Sequence, residues 1–208
     1  MKKQQIVLAT RNAGKIRELA QPLAAYGLDV LGLDSFPELV DVEETGTTFE
    51  ENALLKAHSV AAATGLVAVA DDSGLEVDAL NNAPGVYSAR YSNDIPFLEG
   101  ENKDQRNNRK LLAALANVPK AQRKARFVCA MVACTPEGRH ITVRGEWEGS
   151  ILLSPQGDNG FGYDPLFWDE SAQSSGAMLT REQKNARSHR GKALQKLMAA
   201  WPDFWNAQ

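Results

Sequence analysis

Little in these 208 residues is available for cross-linking or soft-metal chemistry: there are two cysteines and three histidines. Cys129 and Cys134 lie five apart in one predicted strand. That odd offset sends their side chains to opposite faces and argues against a disulfide or a shared metal, so both read as small core residues. His58 and His140 have no chemical company and read as surface or packing residues. Long apolar runs are also missing. No segment approaches the roughly 20 residues that cross a bilayer, and the apolar part of "MKKQQIVLAT" is too short for the core of an export signal. The expectation is a cytoplasmic protein with no membrane partner. A surplus of positive charge is absent too: 23 Lys and Arg stand against 26 Asp and Glu, a net charge of −3. That excludes a global basic field for gripping nucleic acid, so any bound anion must be held by a local cluster.

What remains is an ordinary globular composition, 43% hydrophobic and 24% charged, long enough for a substantial core and read as one domain over 1–208. "QIVLAT" (5–10) is a short buried strand. Ile16, Leu19, Ala20, Leu23 and Ala24 then recur at helical spacing, with Pro22 inside the pattern predicting a kink or a shorter helix. "LDVLGL" (28–33) is a second strand. Thr48 and Glu51 have capping-box spacing for a helix that stops at Gly65. "LVAVA" (66–70) is a continuous buried strand, and "LEVDAL" a separate, half-buried one. A polar loop over 92–108 precedes a helix in "RKLLAALANV". "ARFVCAMVACT" and "HITVRGEWEGSILLS" form a hairpin about "PEGR". Thr180 and Gln183 cap another helix, and a final helix carries Leu194, Leu197, Met198 and Trp201 on one face until Pro202 ends it. The alternation is that of an α/β chain with antiparallel strands in its second half.

Three clusters carry chemistry. "TRNAGK" (10–15) joins a strand to a helix, where exposed backbone amides favour a phosphate and Lys15 adds a charge. Thr10 and Asn12 add hydrogen bonds, but the stretch lacks Walker A spacing and reads equally as a capped turn. "DDSG" places Asp71, Asp72 and Ser73 at the predicted C-terminal end of a strand, where α/β sheets bind ligands. With Glu43 and Glu44 these carboxylates suit Mg²⁺; the same residues also make an ordinary Asp-Ser-Gly turn. The third cluster joins Phe161 and Tyr163 of "GFGYDP", suited to stacking on a flat ring, with Lys184, His189 and Arg190 of "REQKNARSHRG". It reads otherwise as a solvated helix corner. Together they are the equipment for a nucleoside triphosphate with magnesium.

"LATRNAGKIREL", "EETGTTFEENALLKA", "ADDSGLEVDALNNAPGVYSARYS", "GFGYDPLF" and "LTREQKNARSHRG" together resemble the Ham1/RdgB family of inosine triphosphate pyrophosphatases, from about residue 6 to the final helix. The resemblance implies an ITPase-like fold: a long mixed β-sheet flanked by helices, in two lobes around a central cleft. It implies Mg²⁺-dependent hydrolysis of ITP, dITP and XTP to the monophosphate and pyrophosphate by a homodimer. Carried over by position, Thr10, Arg11, Asn12, Ala13, Gly14 and Lys15 form the phosphate loop. Glu44 and Asp72 hold the metal, with Asp72 the base for the attacking water. Ser73 touches substrate. Phe161, Gly162, Tyr163, Asp164, Lys184, His189 and Arg190 contact the base and phosphates, and Lys56 of "NALLKA" reaches phosphate. Two stretches depart from the family pattern. "NDIPFLEGENKDQRNN" is longer than usual, and Arg187 stands where a small or aliphatic residue is commoner.

Overall fold

The computed structural model describes residues 4–206. Among these residues seven strands form one sheet of order β2-β1-β3-β4-β5-β6-β7. They are β1 (Gln4–Leu8), β2 (Leu28–Gly32), β3 (Val67–Val77), β4 (Lys124–Cys134), β5 (His140–Ile151), β6 (Phe167–Asp169) and β7 (Ser174–Ser175). β1 pairs in parallel with β2 and β3, and β6 pairs antiparallel with β5 and β7, so the sheet is mixed. The α-helices of the described residues are α1 (Ala13–Ala25), α2 (Phe49–Thr64), α3 (Lys103–Ala114), α4 (Arg181–Arg187) and α5 (His189–Asn206).

The chain divides into two compact units. The first comprises 1–72, 129–145 and 189–208, the second 73–128 and 146–188. In the first, Ile6, Leu8, Val67, Val69, Cys129, Met131 and Ala133 form a buried cluster with Leu19 and Leu23 of α1 and Leu194, Leu197 and Trp201 of α5. Alternate strand residues face these two helices, as the pleat requires. In the second, Leu75, Val77, Phe127, Trp147, Ile151, Leu166 and Phe167 make the core with Leu111 of α3 and Leu115 just past its end. Both cysteines are free and buried, as their spacing suggested.

Several expected boundaries move. Neither proline stops its helix: α1 continues past Pro22 to Ala25, and α5 past Pro202 to Asn206. Leu19 and Leu23 flank the first and Trp201 and Phe204 the second, all buried in one core. Packing of an apolar face supplies most helical stability and here outweighs one missing backbone bond. α3 begins at Lys103 rather than after 108, because Asn102 and Gln105 make a reciprocal capping box. The largest correction concerns β3. "LVAVA" and "LEVDAL" are one strand of eleven residues, so Asp71, Asp72, Ser73 and Gly74 lie in its middle and not in a turn beyond its end.

Local signals hold at α2. Thr48 and Glu51 form the expected capping box, and Gly65 closes the helix. Thr48→Ala should therefore lower unfolding stability by about 1 kcal/mol, measured by denaturant titration, with no change in the folded-state circular dichroism.

Candidate functional site

Two adjacent acids in the middle of a strand point to opposite faces of the sheet. Asp71 shares the face of Val67 and Val69, toward α1 and α5; Asp72 shares that of Ala68 and Ala70, from which α2 reaches it. Their side chains accordingly meet different partners.

Asp71 is 1% exposed. Its Oδ2 accepts from Lys15 Nζ of α1 and from Arg190 Nε of α5, each at 3.1 Å. Lys15 also donates to the Asp71 carbonyl at 3.1 Å, and Arg190 Nη1 donates to Glu18 at 2.5 Å. Gly145 of β5 lets α5 approach this closely: a Cβ there would strike the His189 carbonyl and the Ala193 backbone nitrogen. Burial alone would raise the Asp71 pKa, but Lys15, Arg190 and Lys56 outweigh it and hold the carboxyl well below its ordinary 3.8.

Asp72 sits among the residues of α2. Lys56 Nζ donates to Asp72 Oδ1 at 3.0 Å and to Glu44 Oε1 at 2.8 Å. Asn52 Nδ2 donates to Asp72 Oδ2 at 3.3 Å, while its Oδ1 accepts the Gly46 N–H at 2.8 Å. Asn52 thus ties the segment bearing Glu44 to the carboxylate. Here burial raises the Asp72 pKa, Lys56 and Lys15 oppose it, Glu44 reinforces it, and the net shift is upward. Lys56 is shifted the other way by burial, yet Asp72, Asp71 and Glu44 prevail and keep it charged. One carboxyl is locked as an anion and its neighbour is made the better proton acceptor, the division of acidities that acid–base sites exploit.

The strand-to-helix turn is more self-satisfied than expected. Asn12 caps α1, its side chain accepting from Gly14 N and Lys15 N, and Thr10 Oγ1 accepts from Asn12 N. Three amides predicted to be open to phosphate are therefore engaged. Ala13 opens α1, and Arg11 turns outward to Asp41 and the Leu39 carbonyl. For a metal, Glu44 and Asp72 offer hard carboxylate oxygens already bridged by the cationic Lys56. Among the described residues no group of three or more His, Cys, Asp or Glu could hold an ion alone. A pair of carboxylates completed by substrate oxygens is the arrangement Mg²⁺ accepts, so the donor set fits it.

The second unit carries the aromatic loop. Lys184 Nζ lies 4.9 Å from the centroid of Phe161 and bonds Asp164 Oδ2 at 2.7 Å. The same Asp164 oxygen accepts the Phe161 N–H at 2.9 Å. Phe161 is half-buried. Tyr163, by contrast, is 4% exposed within the core cluster, its hydroxyl donating to the Ser88 carbonyl at 2.8 Å. The expectation of two stacking rings is corrected to one, since the turn at Gly162 (φ +63°) separates the two rings and Tyr163 packs in the core. Arg190, expected to contact the base or phosphates, is a buried partner of Asp71 and Glu18. His189 is buried beside it at the start of α5, and Ser73 is half-buried on β3. Sequence reasoning missed Asn52 and Glu18. Both were accessible through helical spacing, four residues before Lys56 and three after Lys15.

A model of the Ham1 family matches residues 6–200. The chain is 66% identical over 205 residues to a protein of Nitratidesulfovibrio vulgaris named dITP/XTP pyrophosphatase, covering 99% of both. It is 50% identical over 204 residues to a Lactiplantibacillus plantarum protein of the same name, covering 98% of both. A solved Ham1 protein from Coxiella burnetii superposes with a TM-score of 0.84 at 40% identity, over 96% of this chain and 99% of that one.

Removing the Asp71 carboxylate strands Lys15 and Arg190 in the interior. Asp71→Ala should cost roughly 3–5 kcal/mol of stability, the usual penalty for breaking a buried charge pair, read from denaturant unfolding. Asn52→Ala, which deletes a neutral donor, should cost far less.

Proposed function

The chain belongs to the Ham1 family, and from that premise we propose that it hydrolyses aberrant purine nucleoside triphosphates (ITP, dITP, XTP) to the monophosphate and pyrophosphate. It thereby keeps them out of DNA and RNA. The observation that carries this is the split pair on β3, in which Asp71 is held by Lys15 and Arg190 while Asp72 is bridged through Lys56 to Glu44.

In this reading Glu44 and Asp72 would hold a Mg²⁺, which would supply neutralisation of phosphate charge and a more acidic water. Asp72 takes the proton of the water attacking the α-phosphorus; its upward-shifted pKa supports that role. Lys15 and Lys56 offset phosphate charge, and Thr10, Arg11, Asn12, Ala13, Gly14 and Ser73 border the phosphate chain. Lys15 depends on Asp71 for its position, and Asp71 depends on Arg190 and Glu18. Each well-placed electrostatic contact in such a site contributes roughly 3–4 kcal/mol to the rate.

Phe161 supplies the face on which the purine stacks, within the loop of Gly162 and Asp164. Lys184, whose ammonium lies over that ring, is the donor for the 6-oxygen shared by inosine and xanthosine. Adenine presents an amino group there and leaves the donor unmatched, at a cost of about 1–3 kcal/mol. The same reading makes the enzyme a cytoplasmic homodimer that needs no nucleic acid. Its support is the family resemblance together with the acidic balance of the chain.

Pyrophosphate release should be fast from ITP, dITP and XTP, slow from ATP, and abolished by removing Mg²⁺; equal turnover of ATP contradicts the assignment. Asp72→Asn should fold like the parent and lose at least about a hundredfold in kcat, the scale of a general base.

A further inference from the structure

The ring of Phe161 is held indirectly. Its neighbour Gly162 has a φ of +63°, a conformation that leaves the loop's geometry to external bonds rather than to its own side chain. Both polar groups of Gly162 are taken by α3. Asp104 Oδ2 accepts the Gly162 N–H at 2.7 Å, and Asn108 Nδ2 donates to the Gly162 carbonyl at 3.0 Å. Asp104 and Asn108 are four apart, hence on one helical face. The Asn108 carboxamide has only one sensible orientation, because exchanging its oxygen and nitrogen would set oxygen against the Gly162 oxygen. One residue further, Tyr163 is anchored to the Ser88 carbonyl, which also accepts from Asn107 Nδ2 of α3 at 3.3 Å. On the other flank Asp164 holds the Phe161 N–H and is itself held by Lys184.

We propose that Asp104 and Asn108 are positioning residues for substrate recognition: by clamping both sides of Gly162 they fix the Phe161 ring for the purine base. This rests on the stacking role given to Phe161 above. The helix that carries them starts inside the long segment of "NDIPFLEGENKDQRNN", so the clamp gives that segment a task. A ring pre-set by hydrogen bonds loses less freedom when the base arrives, and binding gains accordingly. Since base stacking is the same in ground and transition states, loss of the clamp raises KM and spares kcat.

The test is a double-mutant cycle in ITP hydrolysis. Asp104→Ala should raise KM roughly tenfold, the scale of one charged hydrogen bond, with kcat within about twofold. Asp104→Asn keeps an acceptor oxygen and should restore a near-parental KM. Asn108→Leu, which preserves shape and removes the donor, should behave like Asp104→Ala, and it provides the measurement if that variant fails to fold. In a Phe161→Ala background either change should have little further effect on KM. If Phe161→Ala raises KM but the clamp variants add their full effect to it, or lower kcat and unfolding temperature without touching KM, the positioning role is overturned. If Phe161→Ala leaves KM unchanged, the stacking role itself is wrong and the clamp falls with it.

Discussion

Two neighbouring aspartates inside a strand cannot share a counter-ion on one surface. The pleat throws Asp71 and Asp72 to opposite faces, both largely out of water, and each must be met by cations delivered to its own side. Burying a carboxylate costs several kcal/mol unless it is paired, and this requirement organises the first unit. α1 and α5 exist on one face not only to cover Val67 and Val69 but to bring Lys15 and Arg190 to Asp71. On the other face α2 brings Asn52 and Lys56, one helical turn apart, to Asp72.

The unequal quality of the two environments then produces chemistry. Asp71 meets two cations at contact distance and is left no reason to protonate. Asp72 shares one lysine with Glu44, so its acidity is weaker. A strand that would otherwise be an apolar core element therefore delivers a fixed anion and a proton acceptor within a single peptide unit. The aromatic loop of the second unit follows the same logic: the Phe161 N–H is held by the Asp164 carboxylate, which is itself paired with Lys184.

Features governed by near neighbours could be read from the sequence. The Thr48–Glu51 and Thr180–Gln183 capping boxes, the Gly65 stop and the "PEGR" hairpin involve residues within a few positions, and the structure keeps them. The chemical residues Lys15, Glu44, Asp71, Asp72 and Lys56 were also visible as types, and they do converge. What escaped was decided at long range. "DDSG" carries turn residues, and only cations from positions 15, 56 and 190 make it tolerable as strand. Pro22 and Pro202 are helix breakers by local rule, overridden by a shared core. The inward partners of Arg190 and Tyr163 were not legible, because nothing local marks which residues a buried polar side chain will meet.

The most direct test of the central claim is the titration of the two carboxyls, followed by carboxyl-carbon NMR with Asp71→Asn and Asp72→Asn used for assignment. The split environment predicts that Asp71 stays ionised through the acid range down to the limit of the folded protein. It predicts that Asp72 takes up its proton at a pH above the ordinary 3.8 of an aspartate. Coincident titration, or Asp71 protonating first, would contradict the account.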